Sequence, residues 1–433
     1  MSQKTPQKSS EDHANEIKAN LMAQIKTGNQ KITWASLHMP ILNQLIEEYE
    51  DAQPLRNYVI VTSVHLEAKT ACLVRALAHL GAIVYATGCN PLTTQNDVAL
   101  ALNETRNVTV YAKHNCSESI YWAFLKEALA CHPHIIIDDG GDLVKLLHGE
   151  CIKYADHILG GCEETTTGIS RLKALDIQGK LNFPMYNVND ADCKHNYDNH
   201  YGTGQSVSDG ILRTTNLIIA GKTVVVAGYG DCGSGIAERM RGLGAKVIVT
   251  EINPIKALKA NMDGFRVMRM DQAARHGDLF ITATGCKNVI TKHHFLQMKD
   301  GALLANAGHF NVEINVNHLK KCSLGWSEAR KNIEAYELKN GNVVFLLADG
   351  RLVNLAAADG HAAEIMDMSF SIQLLGVIDI AKNNVTTGWH TPPGLYSIPN
   401  EIDEKVAALA LRAQHIQIDK LTKSQQKYLE NGF

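Results

Sequence analysis

The stretch that decides the fold runs from Lys222 to Glu251, KTVVVAGYGDCGSGIAERMRGLGAKVIVTE. Thr223-Val224-Val225-Val226-Ala227 is a β-branched run of the kind expected of a parallel strand buried on both faces. It opens into Gly228-Tyr229-Gly230-Asp231-Cys232-Gly233, a G-x-G-x-x-G turn. Ile236, Ala237, Met240 and Leu243 then recur at helical spacing, and Gly244 is placed to end that helix. A second apolar strand, Lys246 to Thr250, finishes on Glu251. Gly228 permits the tight turn, Gly230 lets backbone approach a pyrophosphate, and Gly233 lets helix and strand pack closely. The helix N-terminus offers N–H groups to the phosphates. A carboxylate at Glu251 can accept both ribose hydroxyls of NAD and repels a 2′-phosphate, so NAD is expected rather than NADP. A glycine-rich turn alone is weak evidence; strand, helix and terminal acid in register make it a dinucleotide fingerprint.

Working outward, 433 residues are too many for one ordinary domain, and two or three are expected. The hydrophobic fraction of 45% is that of a soluble globular protein. A formal net charge of −3 gives no basic footprint for nucleic acid. The ten cysteines are scattered without a C-x-x-C pair, which reads as reduced thiols in a cytoplasmic protein and argues against a metal site. The N-terminus has no apolar core of a signal peptide, and no apolar run reaches membrane-spanning length.

Residues 1 to about 15 are polar and expected to be disordered. A helical region is expected from Glu16 to about Asp51. Tyr58–Thr62, Ala82–Ala86, Val108–Tyr111 and His134–Asp139 read as strands, with a helix from Ala68 to Leu80. The first half is thus an α/β unit of its own, with polar residues gathered at strand ends. After a turn at Gly202-Thr203-Gly204, the second unit continues beyond the opening stretch through strands at Leu279–Thr284, Ala302–Asn306 and Val343–Leu347. A helix is expected over Ile365–Ala381 and another over Ile402–Leu411, before a polar tail. The fold class is α/β: two Rossmann-like doubly wound domains plus a short helical C-terminal segment.

Several segments are denser in polar residues than folding requires. They are Ser63-Val64-His65, Asn90–Asn96, Asp138-Asp139-Gly140-Gly141-Asp142, Glu163-Glu164-Thr165-Thr166-Thr167, Asn187–Asp190 with Lys194 and Asp198-Asn199, Asn306–Phe310, and Asn354 with His361. Each alone could be a cap or a solvated turn. All of them following strands beside an NAD fingerprint favours a single cleft between two units.

From Tyr58 to Phe433 the sequence resembles the S-adenosyl-L-homocysteine hydrolase family. The blocks that carry the resemblance are DDGGDL, EETTTG, NVND with Lys194 and DN, AGYGDCG, TGC, GHF, GRLVNL, and the GH before MDMSF. The resemblance implies a homotetramer with tightly held NAD. It also implies a substrate-binding domain over 1–200 completed by 358–395, an NAD-binding domain over 201–357, and a C-terminal oligomerisation segment over 396–433. In such enzymes NAD oxidises the ribose 3′-hydroxyl, a base removes the acidified C4′ proton, and homocysteine leaves from C5′. Water then adds and the ketone is reduced again.

Carried over residue by residue, the resemblance places Lys194 and Asp198 at the 3′-hydroxyl, with Lys194 as base if burial lowers its pKa. Glu164 and Thr165 would hold the ribose hydroxyls, and Asp139 and His65 would transfer protons at C4′ and C5′. His309 would lie beside the ribose and His361 at the purine edge, with Glu67, Lys69, Thr70, Gln95 and Met366 completing the substrate pocket. NAD would touch Thr165, Thr166, Thr167, Asn199, Glu251, Asn306, His309, His361 and Asn354, besides the turn of Gly228, Gly230, Asp231, Cys232 and Gly233. The substrates that the resemblance implies are S-adenosyl-L-homocysteine, adenosine and homocysteine.

Two departures from the family pattern matter. Most members read H-x-T-x-E-T where this chain reads His65-Leu66-Glu67-Ala68-Lys69-Thr70. A Lys only donates, so Lys69 suits a 6-oxo purine, unless Glu67 or backbone reads an amino group or Lys69 points to solvent. S-inosyl-L-homocysteine is therefore an alternative substrate, and a catalytically silent NAD-binding regulator is a reading from another class. The sequence also ends at Asn431-Gly432-Phe433, without the Lys and Tyr by which many members reach a neighbour's NAD site. Weaker NAD retention is the expectation, and these two features resemble the archaeal and Thermotoga-like branch.

Overall fold

A computed structural model describes residues 10–387 and 391–431. The first group of strands is β1 (Val59–Val64), β2 (Ile83–Gly88), β3 (Val108–Tyr111), β4 (Ile135–Asp138), β5 (Gly160–Glu163) and β6 (Pro184–Asn187). The second is β7 (Thr223–Ala227), β8 (Lys246–Thr250), β9 (Arg266–Val267), β10 (Leu279–Thr282), β11 (Ala302–Asn306), β12 (Ser323–Arg330), β13 (Ile333–Leu338) and β14 (Val343–Leu347); β15 (Gly394–Ser397) follows late in the chain. One seven-stranded parallel sheet has the order β15-β6-β5-β4-β1-β2-β3. The other has the order β12-β13-β14-β11-β10-β7-β8-β9, parallel except for the β12-β13-β14 meander.

The β-branched runs behave as their composition requires. Val224 and Val226 belong to one core and Val225 to another, so β7 is buried on both faces. In both sheets the strand order reverses once: β1 lies between β4 and β2, and β7 between β10 and β8. Such a reversal opens a crevice at the carboxyl ends of the strands. His65 and Asp139 follow β1 and β4 there; the glycine turn follows β7.

The C-terminal part returns to the first sheet. Phe370, Leu374 and Val377 of the helix Ala363–Thr387 share a core with Ile60 and Cys162. Asp367 on that helix caps the N-terminus of the helix Pro40–Tyr49, accepting from Ile41 N at 2.8 Å and Leu42 N at 2.8 Å.

Three expectations are corrected, and the polar tail gains a helix. Residues 10–15 begin the helix Ser10–Leu37 instead of being disordered, while residues 1–9 lie outside the described residues. The single helical region to Asp51 breaks ahead of Pro40 into two helices, because proline cannot continue a helix from within. Gly202-Thr203-Gly204 is not a turn: a π-helical segment, His195–Gly202, runs straight into the helix Thr203–Thr215. Gly204 is there for close helix approach, since a Cβ would come 2.6 Å from Gly235 O. The polar tail, finally, forms a helix over Lys423–Asn431.

Candidate active site

Two strand ends and one loop build the first part of the site. His65 Nδ1 lies 2.7 Å from Thr93 Oγ1, and its Nε2 lies 3.7 Å from Asp139 Oδ2. Gly140 has φ +114°, and a Cβ there would meet His309 Nε2 at 2.9 Å. Glycine at this position therefore lets the loop after β11 set its imidazole down on the end of β4. One polar atom each from His65, Asp139 and His309 lies within 4.8 Å of the others. Burial lowers both imidazoles against the opposing pull of Asp139, His65 to about 4 and His309 below its ordinary value. Both are neutral at neutral pH.

A buried cluster of charge forms the second part. Lys194 Nζ stands 3.5 Å from Asp198 Oδ1 and 3.6 Å from Glu164 Oε1, and donates to Asn199 Oδ1 at 3.0 Å. Asp198 and Asn199 are presented by the π-helical segment, a geometry frequent at functional sites. Burial alone would lower the Lys194 ammonium, but Asp198, Glu164 and Asp139 outweigh it and hold the pKa above the usual lysine value. The condition under which Lys194 would act as a base, a pKa lowered by burial, is not met, because the neighbouring carboxylates outweigh burial. Asp198 is the converse case. Burial works to raise it, yet Lys194, His361 and Ser369 hold it well below the usual carboxylate range. Glu164 differs again, since burial prevails over Lys194 and carries its carboxyl up to about 7. Its Oε2 accepts from Gln373 Nε2 at 2.6 Å, while the buried Oε1 has no hydrogen-bond partner.

Glu67 caps the helix Ala68–His79, accepting from Lys69 N and Thr70 N. Lys69 is buried, with Nζ 2.8 Å from Glu67 Oε2 and 2.8 Å from the Asp359 carbonyl oxygen. It faces the cleft, not solvent. His361 Nδ1 lies 3.2 Å from Asp198 Oδ1 and its Nε2 3.3 Å from Thr203 Oγ1.

The dinucleotide end fits NAD. Gly228 has φ +96° with a Cβ position 2.5 Å from Ala283 O, and a Cβ on Gly233 would meet Gly228 O at 2.1 Å. The helix Asp231–Gly242 starts from Gly230 with no side-chain cap, which leaves its first N–H groups for an anion. Glu251 Oε2 accepts from Tyr229 N at 2.7 Å, bracing the glycine turn. Burial raises this carboxyl, but the N–H groups of Asn253, Tyr229 and Ile252 together with Lys256 bring it below its ordinary value. Asn354 donates to Ser206 Oγ at 3.1 Å and leaves a buried amide oxygen unpartnered. Such an oxygen suits a ligand N–H.

These groups share one cleft of about 1030 Å³. Every residue that the resemblance assigned to substrate or cofactor lines it except Gln95, Gly233 and Asn306, whereas Ser63, Asp138, Asp142, Glu163 and Asn187–Asp190 lie outside it. Gln95 turns away, its Oε1 accepting from Lys31 Nζ at 3.0 Å. Gly233 sits behind the turn as spacing for helix against strand. Asn306 is fully spent internally, donating to Gly308 O and Phe310 O and accepting from Gly308 N and Thr282 Oγ1. It shapes the loop that carries His309. Sequence reasoning missed Lys256, Ser369 and Gln373, and noted Thr93 only as one of the residues Asn90–Asn96. Lys256 lines the cofactor end, and its one signal was a cation five residues beyond Glu251. Ser369 and Gln373 stood out only as polar residues at helical spacing in an apolar helix.

Comparison with known proteins agrees with this geometry. Residues 16–156 match the family S-adenosyl-L-homocysteine hydrolase, and residues 199–360 match the S-adenosyl-L-homocysteine hydrolase NAD binding domain. An S-inosyl-L-homocysteine hydrolase of Methanocaldococcus jannaschii is 53% identical over 406 residues, 94% of this chain and 96% of that protein. An adenosylhomocysteinase of Thermotoga maritima is 51% identical over 407 residues, 94% of this chain and 100% of that protein. Another, from Archaeoglobus fulgidus, is 50% identical over 405 residues, 93% of this chain and 98% of that protein. With both parts of the family matched and half the residues shared along nearly the full chain, this protein belongs to the S-adenosyl-L-homocysteine hydrolase family.

Proposed function

We propose that this chain catalyses the reversible, NAD-dependent hydrolysis of S-adenosyl-L-homocysteine to adenosine and L-homocysteine. The observation that carries the reading is one cleft holding both an NAD-shaped end and a buried Lys194–Glu164–Asp198 cluster faced by neutral His65 and His309. Bound there, the nicotinamide supplies the hydride chemistry that converts the ribose 3′-hydroxyl to a ketone and back. Asn354 would hold its carboxamide and Glu251 the adenosine ribose of the cofactor, with Thr165, Thr166, Thr167 and Asn199 along its length.

The protein's own residues do the proton work. Glu164, with its pKa near 7 and one oxygen unpartnered, takes the 3′-hydroxyl proton, because a base works best near the operating pH. The Lys194 ammonium, fixed by Asp198, stabilises the negative charge that grows on that oxygen. Once the neighbouring carbon is a ketone, the C4′ hydrogen is acidic. Asp139 and His65 remove it and pass a proton to the departing sulfur, and water adds by the reverse route. His361, held on Asp198, connects the purine edge to this cluster.

A second reading follows from Lys69. Two of its three N–H groups are committed, to Glu67 and to the Asp359 carbonyl, and the third can meet a 6-oxo group. Glu67 can instead accept from the amino group of adenine, which supports the adenosyl substrate as the primary reading. Thiol release from the adenosyl and inosyl thioethers, assayed side by side, tests both. Preference for the adenosyl compound is expected, and release from neither would refute the function.

The same reading makes the protein cytoplasmic and homotetrameric, with the domain limits anticipated from the sequence. Exposed Ile252, Ile255, Leu258 and Met262, and Tyr428 with Leu429 on the last helix, support association. No helix among the described residues is long and apolar enough to cross a membrane.

A further inference from the structure

We propose that Gln373 and Ser369 are positioning residues that hold Glu164 and Asp198, the two carboxylates flanking Lys194, in the orientation and charge state the reaction uses. The inference rests on Glu164 being the acceptor of the ribose hydroxyl proton. Ser369 and Gln373 stand one turn apart on the helix Ala363–Thr387 and both are fully buried. Ser369 Oγ donates to Asp198 Oδ2 at 2.9 Å, and Gln373 Nε2 donates to Glu164 Oε2 at 2.6 Å. Each occupies the oxygen that faces away from Lys194, since Asp198 Oδ1 and Glu164 Oε1 are the atoms nearest its ammonium. One helix face thus decides which carboxylate oxygen is presented to Lys194 and to the ribose.

Donation to a carboxylate favours its ionised form. Gln373 therefore opposes burial at Glu164. The charged and titratable groups around Glu164 are Lys194, Asp198, Asp139 and the Cys162 thiol. Lys194 and Gln373 favour its ionisation, and Asp198 and Asp139 oppose it.

The test is Gln373→Met, which keeps the shape and removes the donor, in the full-length protein loaded with NAD. The acid limb of kcat/KM should move up by about one pH unit, giving roughly tenfold loss on the acid side and recovery at alkaline pH. The pH profile of adenosine affinity by calorimetry should move with it, while NAD content stays at the wild-type level. Gln373→Glu, also close in shape, should move the limb further up, because two buried carboxyls then share a proton. Ser369→Ala should lower kcat without moving the limb, since Asp198 retains Lys194 and His361. A Gln373→Met profile that overlays wild type, or an equal loss at every pH, overturns the proposal. If wild-type protein cleaves no purine thioether, the functional reading falls instead, and the adenosine-affinity profile then judges Gln373 alone.

Discussion

Removing one charge beside Lys194 should change the pH range in which this protein works. In Asp198→Asn the buried ammonium loses the carboxylate 3.5 Å away, the largest influence holding its pKa up. At an effective dielectric of about 20, a unit charge at that distance contributes about 5 kcal/mol. That corresponds to a fall of roughly three and a half pKa units for Lys194. The sign follows from the cluster: burial favours the neutral amine, and Glu164, Asp139 and the weaker Cys232 remain to oppose it. Wild-type kcat/KM should show no alkaline limb from Lys194, because its ammonium persists beyond the usual lysine range. In the variant a limb should enter from the alkaline side, and activity should fall as pH rises through it. Both atoms are buried, so the shift should survive added salt. The assay is homocysteine release across pH at low substrate, with NAD content measured on every sample. An Asp198→Asn profile that loses activity uniformly, with no new alkaline limb, would refute the view that Lys194 works as a cation.

Gly140→Ala places a Cβ 2.9 Å from His309 Nε2 on a backbone at φ +114°, so His309 must move. Turnover should fall roughly a hundredfold with NAD content unchanged; stopped-flow turnover and extraction of the dinucleotide check both halves. Lys69→Met leaves the Glu67 carboxylate without its ion pair and removes the donor to a 6-oxo purine. Parallel assays should show inosyl-thioether hydrolysis falling at least tenfold more than adenosyl-thioether hydrolysis. Glu251→Ser removes the carboxylate that braces Tyr229 N and excludes a 2′-phosphate. Calorimetry on protein stripped of dinucleotide should find NAD binding weaker by about tenfold and NADP binding improved, with Lys256 available to the phosphate.

The fold was most readable where local pattern and tertiary role coincide. The run at Val224–Val226, the glycines after it and Glu251 each have a job that residue type alone discloses. The strands β5 and β6 were not readable. Gly160-Gly161 and Pro184 look like loop, yet Gly161 is glycine because a Cβ would strike Ile136 and Met185 across the sheet. Gly204 misled in the same way, its small size serving helix packing instead of a turn. Membership of the site was legible as a list of strand-end polar residues, but charge state was not. Whether Lys194 is a base or a cation depends on three carboxylates arriving from different elements. Gln95 and Asn306 show the limit from the other side, since hydrogen bonds to Lys31 and to the β11 loop consume groups that look available in the sequence. Ser369 and Gln373 stayed invisible because polar residues scattered along a largely apolar helix give no hint of what each meets.

The central chemistry is temporary oxidation at the 3′ carbon, which alone makes the C4′ hydrogen exchangeable. Adenosine incubated with the NAD-loaded protein in deuterated water, without homocysteine, should return with deuterium at C4′ and nowhere else on the ribose carbons, as read by mass spectrometry and NMR. Adenosine recovered without deuterium from protein shown to hold NAD and to bind the nucleoside would contradict it.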